Sequence, residues 1–96
     1  MANRKYVNTE LQALFGARLR EARTKRGMSQ EWLALEAGVS PLTIRNYEEY
    51  MTHTPMFMAV VSLARVLGVS IDWLAGIGPN RRIPLDDIEW IKEEAV

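Results

Sequence analysis

The sequence contains no cysteine and a single histidine, His53. Disulfides, thiolate metal sites and a cysteine nucleophile are therefore excluded, and one histidine alone does not build a metal centre. Glycine and proline are scarce, at six and four residues in 96, far below the content of a Gly/Pro-rich disordered chain. The longest apolar stretch, residues 56–64, is interrupted by Ser62 and falls well short of the roughly 20 residues that cross a bilayer. Residues 1–6 lead into polar Asn8 and Glu10 instead of an apolar signal region, so a cytoplasmic protein is expected. Net charge is absent too, with 12 basic and 12 acidic residues, which removes any strong pull of the whole surface toward nucleic acid.

What is present is enough for one folded core. Apolar residues make up 48% of the chain and charged residues 25%, the composition of an ordinary globule whose length supports a single domain. The charge is unevenly placed: residues 1–26 hold seven basic residues against Glu10 and Glu21, and the remainder is acidic. A basic first helix is read equally well as a solvated face or a phosphate-binding one. No Gly-rich phosphate loop and no Ser-His-acid spacing occurs, and the pairs Asp86-Asp87 and Glu93-Glu94 read as solvated surface, so no enzyme and no cofactor are expected.

Helix signals run along the whole chain. Thr9 and Gln12 form a capping-box pattern ahead of Leu11, Phe15, Leu19 and Ala22, predicting a first helix that stops near Arg26 at Gly27. Ser29 caps a second helix over about 30–37, with Glu31 favoured by the helix dipole and Gly38 closing it. Ser40 and Pro41 open a third over about 40–49, with Ile44 and Tyr47 inward. After a polar loop over 49–54, Pro55 opens a fourth whose Phe57, Val60, Val61, Ala64 and Leu67 are expected to face the core, ended by Gly68. Ser70 caps a short fifth through Ile71, Trp73 and Leu74. Gly76, Gly78, Pro79 and Pro84 punctuate a linker, and Leu85, Ile88, Ile91 and Ala95 mark a final helix. The expectation is an all-α fold, with a domain over 1–76 and a linker plus C-terminal helix over 77–96.

The segment from Gln30 to Tyr47 is the most informative. Two helices crossing over a tight turn need a small residue at the crossing, a glycine in the turn and apolar side chains aimed at a shared core. Ala34, Gly38 and the set Leu33, Ala37, Val39, Ile44 and Tyr47 supply them. With Gly27-Met28-Ser29-Gln30-Glu31-Trp32-Leu33-Ala34, Gly38-Val39-Ser40, Thr43-Ile44, Tyr47-Glu48 and the later Leu63 to Leu74 run, the chain over about 11–76 resembles the phage repressor and Cro-like, or XRE-type, helix-turn-helix family.

The resemblance implies a five-helix lambda-repressor-like domain, with the motif over about 29–49, that binds double-stranded operator DNA as a transcription regulator of repressor type and lays its third helix in the major groove. With Ile44 and Tyr47 inward, the outward stripe is Leu42, Arg45, Asn46 and Glu49, the candidates for base contact; the alternative is a solvated helix face. Asn46 suits adenine, Arg45 guanine or a phosphate, and Leu42 a thymine methyl. Ser29 and Gln30 match the family's phosphate grip at the start of helix 2, and Thr43, Tyr50 and His53 are further phosphate candidates. The family also implies that Arg23 and Glu48 pair inside the domain.

The stretch Glu48 to Pro55 departs from the family, lacking the glycine and basic residues usual there and running one residue longer, which weakens the phosphate term. Two other functions remain open on the same fold: the antitoxin of a toxin-antitoxin pair, and a module that binds another protein. A homodimer on a two-fold operator is expected, with Ile88, Trp90 and Ile91 as the candidate contact unless that helix packs on its own domain. A nucleoid-associated location would follow from DNA binding.

Overall fold

The computed structural model of the protein describes residues 9–50 and 54–77. Thr52, His53, the linker beyond Ile77 and the expected C-terminal helix lie outside the described residues. Those described form five α-helices, α1 (Thr9–Lys25), α2 (Gln30–Ala37), α3 (Pro41–Arg45), α4 (Phe57–Leu67) and α5 (Ile71–Ala75). There is no strand among them, so the expected all-α class holds, and no described helix is long and apolar enough to cross a membrane.

Local chemistry places the helix ends. Ser29 Oγ accepts from the Trp32 amide at 3.0 Å, Ser40 Oγ from Thr43 at 3.1 Å and Ser70 Oγ from Trp73 at 3.0 Å. Each satisfies a backbone donor that the first turn leaves without a partner. Gly38 adopts φ +74° at the end of α2, a left-handed conformation that strains any residue with a Cβ. The chain reverses there into α3.

Every helix gives a side chain to one core, in which Leu19, Leu33, Ile44, Leu63, Leu67 and Leu74 are fully buried. The Phe15 and Tyr47 rings meet edge to face, with centroids 5.4 Å apart, tying α1 to the segment after α3. Two expectations about the core need correction. Phe57 is 70% exposed: it lies in the first turn of α4, ahead of the stretch that meets the core through Leu63, Ala64 and Leu67. Leu11 and Ile71, each 39% exposed, sit at the rim. The Gln12 amide donates to Thr54 Oγ1 at 3.0 Å, which holds the segment before α4 near the start of α1.

The third helix also differs from the expected α-helix over 40–49. It is α-helical only to Arg45 and then widens into a π-helical turn, Asn46–Tyr50, so Glu49 and Tyr50 are helical and not loop. Tyr47 and Glu48, both buried, lie within this wider turn. This turn presses against α1 at Gly16, where an added Cβ would run into the Tyr47 carbonyl oxygen. A mid-helix glycine normally costs about 1 kcal/mol relative to alanine; here it permits the close approach.

The arginines of α1 also hold the fold together. Arg18 Nη1 donates to the Trp73 carbonyl, with its guanidinium 5.0 Å from the Trp73 ring centroid. Arg26 Nη1 donates to the Leu67 carbonyl at 3.3 Å. Both cations meet carbonyls near helix C-termini, where the dipole favours positive charge.

Gly16→Ala tests the packing against α1. Helix propensity alone favours the alanine, yet the methyl must displace backbone, so stability should fall by about 1 to 3 kcal/mol. A shift of the urea midpoint to lower concentration is the expected reading, and a shift to higher concentration would show that α1 and the π turn do not touch as described.

Candidate nucleic-acid interface

The turn between α2 and α3 is built so that one side of α3 packs and the other does not. Ile44 is fully buried, while Leu42 is 57% exposed and Arg45 and Asn46 are half-exposed. Ser40 and Pro41 start α3 with its first turn clear of the core, since both are exposed. Leu42, Arg45 and Asn46 therefore form an outward prong, and among the described residues no carboxylate lies within ion-pair distance of Arg45.

Beneath the prong lies the one buried ion pair among the described residues. Arg23 Nε donates to Glu48 Oε2 at 2.7 Å and Arg23 Nη2 to Glu48 Oε1 at 2.8 Å, a two-point fit of guanidinium to carboxylate. The Glu48 side chain is wholly inaccessible. Arg23 Nη1 uses a further proton on the Met28 carbonyl at 2.8 Å, fixing the turn before α2. The hydrogen bond to Glu48 raises the Arg23 pKa above its ordinary value against the opposing effect of burial, so the guanidinium stays charged at every pH of practical interest. Arg20 approaches the same carboxylate at 3.5 Å from the exposed side.

The phosphate candidates divide by what their side chains already do. Ser29 Oγ is used as the cap of α2, leaving the amides of Gln30 and Glu31 in the first turn. Thr43 Oγ1 is 2.9 Å from Ser40 Oγ. Tyr50 is 55% exposed, and His53 lies outside the described residues. Gln30 donates from Nε2 to Glu48 Oε1 at 3.1 Å and to Glu49 Oε2 at 3.0 Å. In the unbound protein its amide protons are committed to carboxylates, and Glu49, expected to point freely outward, has a partner.

Residues 19–74 match the model of the helix-turn-helix family. The chain belongs to the XRE/Cro-C1-type helix-turn-helix family. The match starts inside α1 and ends inside α5, more than half of the chain, and the helical arrangement is that of a lambda-repressor-like domain. Membership makes this helix-turn-helix protein a DNA-binding regulator. Among curated proteins, none matches the chain.

Two features of this helix-turn-helix unit escaped the sequence reading. The tie from Gln30 to Glu48 and Glu49 joins residues 18 and 19 positions apart, and no spacing rule marks it. Gly16 carried a weak signal, a glycine inside a helical pattern, which points to close packing or function when it is retained.

Arg23→Ala would strand the Glu48 carboxylate without its main partner. The cost should be roughly 3 to 5 kcal/mol, as for other buried pairs broken from one side. Chemical denaturation reads it as a large fall in midpoint, and an unchanged midpoint would mean that the pair contributes nothing to folding.

Proposed function

We propose that this DNA-binding regulator is a repressor that inserts α3 into the major groove of an operator, reading bases with Leu42, Arg45 and Asn46. The observation that carries the reading is the outward prong: Leu42 is 57% exposed while Ile44 behind it is fully buried. A major groove about 12 Å wide admits an α-helix, and each base pair displays a distinct donor and acceptor pattern there. Arg45 matches the paired acceptors of guanine, Asn46 the donor and acceptor of adenine, and Leu42 a thymine methyl. The capped start of α2 at Ser29 and Gln30 is assigned to a flanking phosphate, where amides and the dipole favour an anion. Thr43, Tyr50 and His53 are assigned to the same backbone through neutral or weakly basic donors.

One domain of this size reads only a few base pairs, so the working unit is a homodimer on a two-fold operator with half-sites about 34 Å apart. The segment 85–95, with Ile88, Trp90 and Ile91, is assigned to the contact between copies.

Sites selected from random DNA provide the test. On such a site Arg45→Ala and Asn46→Ala should each cost about 1 to 3 kcal/mol of affinity and relax preference at one base position. A double variant that binds and discriminates as the parent does would overturn the placement of α3. Truncation after Asn80 should abolish dimer sedimentation, and a truncated protein that still sediments as a dimer would place the contact elsewhere.

A further inference from the structure

Gln30 sits where the proposed phosphate contact begins, and its side chain faces two carboxylates. A glutamine amide nitrogen carries two protons and its oxygen none. One Nε2 proton is directed to Glu48 Oε1 at 3.1 Å and the other to Glu49 Oε2 at 3.0 Å. What remains is a carbonyl oxygen, which has nothing to donate to a phosphate. The two bonds are unequal in environment. The Glu48 side chain is wholly inaccessible and already paired with Arg23, whereas Glu49 is exposed and, among the described residues, has no cation within ion-pair distance.

We propose that Glu49 is a positioning residue that holds Gln30 away from the DNA backbone in the unbound protein, lowering the affinity of this interface for any duplex. The proposal rests on the assignment of Gln30 to a phosphate. For Gln30 to donate to DNA it must release Glu49, the more accessible of its two partners. The released carboxylate then stands beside an incoming phosphate of the same charge, and among the described residues no cation lies within ion-pair distance of it. Binding therefore proceeds against both a lost hydrogen bond and a repulsion, neither of which depends on base sequence. This role differs from base readout by Glu49, in which a carboxylate accepts from cytosine N4. Readout predicts loss of affinity at one sequence when Glu49 is changed, whereas restraint predicts a gain at all sequences.

The test is Glu49→Met, which keeps the length of the side chain and removes both its charge and its acceptor oxygens, measured by fluorescence anisotropy with a mixed-sequence duplex and with a selected site. Affinity should rise about five- to tenfold on both at moderate salt. In a Gln30→Ala background the same change should give no more than about a twofold gain, because only the repulsion is then relieved. Thermal unfolding should place the Glu49→Met variant within a degree or two of the parent, about the small effect usual for an exposed residue. An unchanged or weaker affinity, a gain confined to one base sequence, or an equal gain with and without Gln30 would each overturn the proposal. The mixed-sequence duplex separates this failure from that of the groove reading. Base discrimination that survives Arg45→Ala with Asn46→Ala refutes α3 insertion alone, and an absent Glu49→Met effect on a duplex that the parent binds refutes the restraint alone.

Discussion

The Glu48 carboxylate, enclosed on all sides and met at two points by Arg23, is the constraint on which the rest of the domain depends. An ion removed from water must be paired with good geometry or it costs several kcal/mol, so the end of the third helix has one workable position relative to α1. Tyr47, next in the chain, is fixed independently by the Phe15 ring, and its hydroxyl accepts from the Met56 amide at 3.4 Å. Two adjacent residues of the π turn are thus anchored to the core. Gly16 completes the arrangement by leaving space for the Tyr47 carbonyl. Such a pair is not necessarily more stabilising than apolar residues of the same volume. Its contribution here is directional, since by fixing Glu48 it also fixes which side of α3 faces out.

The same economy governs the basic residues. A surplus of positive charge in residues 1–26 invites a DNA-facing reading, but much of it serves the fold. Arg18 caps a carbonyl of α5 and covers the Trp73 ring, Arg23 neutralises Glu48, Arg26 caps the end of α4, and Lys25 pairs with Glu21 at 3.1 Å. A guanidinium shared with a helix C-terminus gives little counterion release when DNA arrives. The proposed interface therefore leans on α3 and on helix N-terminal amides, in keeping with a chain of zero net charge.

Where the outcome is set by neighbours a few residues apart, the sequence was legible. Ser29, Ser40 and Ser70 cap, and Gly38 and Gly68 terminate, because the amide they serve or the φ they adopt lies within one turn. The inward positions of Leu19, Ile44, Ala64 and Leu67 follow from periodicity, whereas the fully buried Leu63 was not among the residues expected inward in α4, and the pairing of Arg23 with Glu48 followed from family likeness and not from spacing. Phe57 was misplaced because a period of 3.6 says which side of a helix is apolar but not how far along it the core extends. The change from α to π after Arg45 carried no local signal, and the contacts of that turn are with Arg23, Phe15 and Gly16, all more than 20 residues upstream. The site was legible as an outward stripe at Leu42, Arg45 and Asn46, and illegible at Gln30, whose commitments depend on where that π turn places two carboxylates.

That last dependence makes core and interface one network. Arg23, Glu48, Gln30 and Glu49 are joined in sequence by hydrogen bonds of 2.7 to 3.1 Å, running from an inaccessible carboxylate to an exposed one. A change at the inner end alters folding and, through Gln30, the surface proposed to meet DNA, so weakened binding after such a change does not by itself identify a contact residue. A change at the outer end perturbs the surface while the bidentate pair beneath it stays intact. Coupling of this kind is expected wherever a buried polar group satisfies its spare lone pairs through a side chain that reaches the surface, because the group that orients the reading helix then also determines what its flank has left to donate.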